Sequence, residues 1–328
     1  MTQMELPYKT KIVFLQLGRI GDFILSTALL PIIKRERPDI EIGIITKKAL
    51  IPIVRCCKHI DVMYNYSINP KIIMSYLRLI LSKPNVFVDL NHFISGTSRI
   101  ASFLSLSEKR LTISTGRKIW PFTDTIYEGE IDKLHIVDRS LIVARYFGLN
   151  VLESDRRPHL CIPDCAFSDA EKYIEEIGFS KFIAVNISSG SEDRLLSQDK
   201  WIDIFDFILN ISDVSILILA LPKHREIVNK IIKGGDKISR IKAYTDGDFF
   251  LFSSLITKSS LLISPDTSAV HIASAFNVPV IGLYPDVQWN LQSFSPIGEK
   301  SIALSEKGNL VKDMNTLRIK EVIRRYIT

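Results

Sequence analysis

The chain has 328 residues, 46% of them hydrophobic, 24% charged and 9% aromatic, a composition that excludes disordered, collagenous and low-complexity proteins. At this length, above the roughly 100–200 residues usual for one domain, two domains are expected. The net charge of +6 is uneven, because residues 1–120 carry 18 Lys and Arg against 8 Asp and Glu while the remainder carries 24 against 28, so the first part should attract a polyanion and the second should not.

The sequence opens on an apolar strand, Lys11–Leu17, followed by a helix from about Asp22 to Arg35. Strand Glu41–Thr46, helix Lys48–Cys57, strand Asp61–Tyr66, helix Lys71–Ser82, strand Val86–Leu90, helix Ser95–Leu104 and strand Leu111–Ser114 continue the alternation. The strands are continuously apolar rather than alternating, which predicts a parallel sheet covered on both faces. Residues Gly116–Lys133 have no clear period; helix His135–Phe147 resumes the pattern, and Glu153–Pro163, with two prolines, reads as a linker.

A second alternation begins at Lys181: strand Phe182–Ile187, helix Trp201–Leu209, strand Ser215–Leu221, helix His224–Ile232, strand Ile238–Tyr244 and helix Phe249–Thr257. Strand Leu261–Ser264, helix Ala269–Phe276 and strand Val278–Leu283 follow, and a last amphipathic helix spans Thr316–Tyr326. Two Rossmann-like units in tandem are predicted, an α/β architecture with domains at 1–160 and 161–328. The last helix, 316–326, is expected to pack back on the first domain. Two such units facing each other would form a cleft at the carboxyl ends of their strands, so functional residues should follow strands.

Several function classes drop out. No apolar run reaches about 18 residues, so a spanning helix is not expected, and the N-terminus lacks a secretory cleavage pattern. The four cysteines, Cys56, Cys57, Cys161 and Cys165, lack disulfide-framework or zinc spacing and read as reduced, buried thiols in a cytoplasmic protein, with no metal site. The basic residues lack a nucleic-acid motif and aromatic interleaving, so nucleic acid is not an expected partner.

Three places carry chemistry. Leu17-Gly18-Arg19-Ile20-Gly21-Asp22 follows the first strand; Gly18 and Gly21 allow a tight turn, and Asp22 is either a helix N-cap or a carboxylate offered to a ligand. Its spacing matches neither the dinucleotide fingerprint nor the P-loop. After strand Phe182–Ile187 come Ser188, Ser189 and Gly190, whose hydroxyls and N–H groups suit an anion, with Lys200 adding a charge before Trp201. In the third, Ser264-Pro265-Asp266-Thr267-Ser268 leads directly into a small-residue helix carrying His271, which exposes a helix N-terminus to a phosphate.

With these segments in hand, the sequence resembles glycosyltransferase family 9, the ADP-heptose:lipopolysaccharide heptosyltransferases. GRIGDFILSTALLP, the Ser188–Gly190/Lys200-Trp201 segment and SPDTSAVHIASAFNVPVIGLY appear in the family's order from about residue 11 to 285. Two departures stand out: Ser268 replaces the family's usual glycine after Asp-Thr, and Lys200 abuts Trp201 instead of preceding it by two residues.

The resemblance implies a GT-B fold with an acceptor-binding first domain and a nucleotide-sugar-binding second domain. It further implies an inverting, metal-independent, cofactor-free transfer of a heptose or related sugar from an ADP-sugar. The acceptor would be an anionic lipopolysaccharide-core glycolipid at the cytoplasmic face of the inner membrane, where the protein would be peripheral. Within it, Asp22 is expected to be the general base and Lys200 to balance the leaving diphosphate. Gly18, Gly21, Ser188, Ser189, Gly190, Asp266, Thr267, Ser268 and His271 would line the substrate sites, with Glu226 as a ribose ligand. An epimerase-like enzyme on the same scaffold and a non-catalytic sugar-binding protein are the alternatives.

Overall fold

A computed structural model describes residues 3–66, 71–114, 119–126, 130–233 and 238–327. The chain divides into two compact units, Met1–Cys161 and Ile162–Thr328. The first contains β1 (Lys11–Gln16), α1 (Ile20–Ser26), α2 (Leu29–Glu36), β2 (Glu41–Lys47), α3 (Ile51–Cys56), β3 (Val62–Tyr66) and α4 (Lys71–Ser82). It continues with β4 (Val86–Asp89), α5 (Gly96–Leu104), β5 (Lys109–Ile113), β6 (Asp124–Ile126) and α6 (Ile136–Tyr146). The second holds α7 (Asp164–Glu176), β7 (Phe182–Asn186), α8 (Gln198–Ile211), β8 (Ser215–Leu219), α9 (Arg225–Lys233) and β9 (Ile241–Tyr244). It is completed by α10 (Phe249–Lys258), β10 (Leu262–Pro265), α11 (Ser268–Ala275), β11 (Val280–Leu283), α12 (Gln288–Phe294), β12 (Ser301–Leu304) and α13 (Thr316–Ile327).

Each unit has one six-stranded sheet, ordered β3-β2-β1-β4-β5-β6 and β12-β11-β10-β7-β8-β9, and every strand pair is parallel. Counted from β7, the second order read backwards is the same as the first. Both are the doubly wound Rossmann arrangement, whose order reverses between β1 and β4 and again between β7 and β10, and ligands bind such sheets at the carboxyl ends flanking that reversal. The registers Phe14↔Val88 and Ala184↔Leu262 bring those strand ends level. Helices cover both faces, so central strands such as β4 and β7 are buried at every position. Val13, Leu15 and Phe87 centre one core, and Val185, Trp201 and Phe205 the other.

The structure corrects several expectations. The helix expected over Asp22–Arg35 is two helices, because Pro31 cannot share a continuous helix with the carbonyl four residues earlier, that of Thr27. Thr27 instead ends α1, its hydroxyl donating to the carbonyls of Ile24 (2.5 Å) and His159 (2.7 Å) and accepting from the His159 N–H (2.8 Å). The stretch between Pro163 and Lys181 holds α7, which has only Ala166 and Ala170 as buried residues and so lacks a large apolar stripe to read. Cys165, on its first turn, is exposed rather than buried. Residues Ile238–Arg240 form a 3₁₀ turn ahead of β9. The segment expected to be aperiodic, Gly116–Lys133, falls partly outside the described residues; within it lies the short strand β6. Finally, α13 packs on α8 and buries Ile319, Val322 and Ile323 in the second unit's core. Among the described residues, no helix is long and apolar enough to cross a membrane.

Candidate active site

At the reversal point of the first unit, β1 runs into the Leu17–Arg19 turn and then α1. The Arg19 N–H donates to the Asp22 Oδ2 at 2.7 Å, a carboxylate on the first turn of a helix accepting one of its unpaired donors. A Cβ on Gly18 would lie 2.7 Å from both the Cβ and Oδ2 of Asp22. Gly18 is therefore glycine to make room for that carboxylate. The turn is held from β4: Asn91 Oδ1 accepts from the Leu17 N–H (2.8 Å) while Asn91 Nδ2 donates to Asp89 Oδ1 (2.6 Å). Burial pushes the Asp89 carboxyl up to about 6, against the opposing pull of hydrogen bonds from Asn91 and Ser98. Asp22 itself is half-buried, as is Gly21. Beside the turn, a small cavity is lined by Ser26, Asn91, His92, Arg139 and Ser140; Arg139 is buried and hydrogen-bonded to His92 and to the Leu134 carbonyl.

The second unit builds its reversal point differently. Asn186, the last residue of β7, turns its amide toward the end of β10. Its Nδ2 donates to the Ser188 carbonyl (3.1 Å), Ser264 Oγ (2.9 Å) and Thr267 Oγ1 (3.1 Å), and its Oδ1 accepts from the Ser188 N–H (3.1 Å). One side chain thus laces the serine loop to the start of α11. Thr267 caps that helix, its Oγ1 accepting from the Ala269 N–H at 3.3 Å, and the half-buried Ser268 is the first helical residue. His271, one turn in, is buried with its ring 6.1 Å from that of Phe294.

Asp266 is buried just ahead of the cap. Its Oδ2 accepts from Asn290 Nδ2 (2.9 Å) and pairs with Arg194 (2.7 Å), whose guanidinium also donates to the Asp266 carbonyl at 3.1 Å. The arginine side chain remains 27% exposed against 7% for the aspartate, so a cation stands part-open at the helix N-terminus. The sequence expectation gave that place to Lys200. Instead, the Lys200 ammonium donates to the carbonyls of Lys312 (2.7 Å) and Met314 (2.9 Å), which ties α8 to the segment before α13, and Arg194 is the cation beside Asp266.

Ser188 Oγ accepts from the Leu221 N–H (2.8 Å) and sits 2.7 Å from His224 Nδ1. Burial and the nearby Lys223 hold the His224 imidazole below the usual histidine range. Ser189 Oγ accepts from the Ser191 N–H at 3.3 Å. A Cβ on the exposed Gly190 would meet nothing within 4 Å, so this glycine leaves the loop backbone open. Glu226 is exposed on the first turn of α9. Thus Ser188, Ser189, Asp266, Thr267 and Ser268 lie in the two segments that Asn186 joins; Lys200 has other partners. Asn186, Arg194 and Asn290 were missed as site residues.

A family profile described as glycosyltransferase family 9 (heptosyltransferase) matches residues 104–321. The chain belongs to glycosyltransferase family 9. Among this family's relatives, lipopolysaccharide heptosyltransferase 1 of Campylobacter coli is 23% identical over 84% of this chain and 83% of its own. A family 9 glycosyl transferase from Veillonella parvula superposes with a TM-score of 0.81 at 16% identity, over 99% of both chains. The E. coli heptosyltransferase WaaC with ADP gives 0.74 at 10% identity, over 97% of this chain and 100% of that one. The two Rossmann-like units are therefore those of the GT-B fold. Among the described residues, no group of three or more His, Cys, Asp or Glu is placed to hold a metal ion.

Proposed function

We propose that this family 9 glycosyltransferase moves a heptose, or a related sugar, from an ADP-sugar to an anionic lipopolysaccharide-core acceptor, with inversion and without a metal or other cofactor. The first unit takes the acceptor and the second the donor. The observation that carries this reading is the Asn186 bridge, which holds the Ser188–Gly190 loop and the capped N-terminus of α11 together as one anion-receptive surface beside Arg194. A diphosphate there would meet N–H groups, hydroxyls and a part-exposed guanidinium.

In inversion, the acceptor hydroxyl attacks the anomeric carbon from the side opposite the diphosphate. The new carbon–oxygen bond forms as the bond to the phosphate oxygen breaks, and the hydroxyl proton passes to the Asp22 carboxylate. Charge grows on the leaving diphosphate. The α11 N-terminus and Arg194 are the groups suited to receive it, a role that the sequence expectation gave to Lys200. His271 supports the helix beneath the donor, and the exposed Glu226 is our candidate for the ribose hydroxyls. The protein would work as a peripheral protein at the cytoplasmic face of the inner membrane.

Calorimetric titration with ADP, UDP and GDP tests the donor, and ADP is expected to bind most tightly. A nucleotide that protects only first-unit residues from exchange would overturn the assignment of the units. Transfer should persist in EDTA; loss restored by magnesium would overturn metal independence. An α/β assignment of the product linkage by NMR checks inversion, and formation of a new sugar without any acceptor would favour the epimerase alternative.

A further inference from the structure

Helix α5 is built inside out. Its inward positions are Ser98, Ala101 and Ser102, with Ser105 just beyond, all buried, whereas Ile100 and Phe103 point outward. Phe103 is 53% exposed and its ring lies 5.9 Å from that of Trp120, itself 71% exposed. Leu106, next along, is exposed as well. The neighbouring helix α4 presents Ile73, Met74, Leu77 and Leu81 to solvent, one face at helical spacing, and α4 and α5 are in contact.

An ordinary surface helix turns its large apolar residues to the core and its serines to water. Here α5 does the reverse, and α4, although it buries Leu79, leaves four large apolar side chains outside; together they create a contiguous apolar patch of a kind that soluble monomers seldom leave bare. The charges around it are mostly cationic. Arg78, Lys83, Arg99 and Lys109 are exposed, against the exposed Glu108 beside Leu106 and the buried Asp89 among residues 73–109.

We infer that the outer faces of α4 and α5, with Leu106 and Trp120, form a membrane-docking surface that inserts its apolar side chains into the interface of an anionic bilayer. Apolar groups among an excess of exposed cations, four against one acid, are the composition of interfacial helices on anionic lipid. A second copy of the chain would bring the same cations face to face. The inference rests on the proposed function in that a lipid-linked acceptor gives the enzyme a reason to dock. It also changes the expected mode of attachment, since a scattered positive charge alone would give binding that salt abolishes.

The test uses the full chain with vesicles of equimolar phosphatidylglycerol and phosphatidylethanolamine. Sedimentation should show binding that weakens but persists in roughly 1 M NaCl, where screening shortens electrostatic reach to about 3 Å. The double variant Leu77→Ser/Phe103→Ser should lower partition by about tenfold or more, with an unchanged circular dichroism spectrum. Arg78→Ser/Arg99→Ser should remove mainly the salt-sensitive part.

A readout that leaves the patch unaltered uses Trp120: in the Trp289→Phe protein, whose remaining Trp201 is buried, emission should shift to the blue and be quenched by brominated lipid. Binding lost entirely in high salt, or Trp120 emission unmoved at saturating vesicles, would overturn the inference. So would a dimer in ultracentrifugation that Leu77→Ser/Phe103→Ser dissociates, without vesicle binding. Transfer to a delipidated acceptor oligosaccharide separates the two readings: vesicle binding without any transfer leaves the docking surface standing and removes the proposed reaction.

Discussion

Both sheets reverse their strand order once, and at each reversal a single asparagine crosses from one central strand's loop to the other's. In the first unit Asn91, after β4, reaches the Leu17 N–H after β1; in the second Asn186, ending β7, reaches Ser264 in β10 and Thr267 just after it. Each reversal also holds an aspartate at a strand-to-helix turn, and the two fare oppositely. Asp266 is buried, ion-paired to Arg194 and hydrogen-bonded by Asn290. Asp22 is half-buried and accepts from the Arg19 N–H over a glycine that clears space for it. The same residue type, inside the first turn of α1 in one unit and just ahead of the α11 cap in the other, becomes an accessible carboxylate in the first and a structural anchor in the second, and the neighbours decide which.

Exchanging each aspartate for asparagine breaks or sharpens that contrast. Asp22→Asn should lower kcat by about 10²–10⁴-fold, the usual weight of a positioned base, while stability changes little, because at this third helical position the Asn Oδ1 can still accept from the Arg19 N–H. Full activity with saturating donor and purified acceptor would make Asp22 a cap only. Gly18→Ala pushes a methyl group into the space of that carboxylate, and a displaced base should cost about 10²-fold in rate. A rate equal to that of the parent enzyme would mean the carboxylate need not sit where it does.

In the second unit the effects should appear in stability and donor binding. Arg194→Met leaves Asp266 buried without its cation and should destabilise the fold by about 2–3 kcal/mol, somewhat below the figure for a fully buried pair, with a weaker Kd for ADP. Adding Asp266→Asn should recover part of that loss. Strict additivity of the two in urea denaturation would show that the pair is not coupled.

Asp89 offers a pH signature. Its folded carboxyl, raised to about 6 by burial, keeps its proton at pH values where the unfolded chain has lost it. Ionisation therefore costs stability as pH rises from about 4 through 6, and the penalty is complete at pH 7. Asp89→Asn should accordingly be more stable than the parent by about 2 kcal/mol at pH 7, the margin shrinking toward pH 4. A margin independent of pH in parallel denaturation curves would contradict the shift. The smallest effect is expected of Ser188→Ala, which deprives the Leu221 N–H and His224 Nδ1 of a partner and should cost about 1 kcal/mol in thermal unfolding.

Most of the fold was legible in the sequence because buried parallel strands are continuously apolar, as β1 and β7 are, and the turns after them are marked by Gly18 and Ser188. Elements with small or half-exposed inward residues were not: α7 buries only two alanines, and β12 is partly exposed at three of four positions. The site was legible where chemistry sits on one segment, as in Asp266-Thr267-Ser268. It was hidden where partners come from afar. Arg194 meets the carbonyl of Asp266 across 72 residues and Asn290 meets the same residue's carboxylate across 24. Arg194 and Lys200 lie six positions apart, and only the path of the chain between them determines which cation reaches the helix.

The Asn186 bridge also orders events in time. Ser188 is fastened to Leu221 and His224 across 33 and 36 residues, contacts available as soon as β7 and β8 pair, whereas Asn186 finds Ser264 only across 78. Long-range pairing is the slow part of folding, since loop closure must precede any gain from it. A partly folded second unit holding β7, β8 and β9 alone would already possess the serine half of the site. The helix half, the capped N-terminus of α11, would arrive only with β10, so on the proposed function nucleotide recognition would be a late reporter of folding.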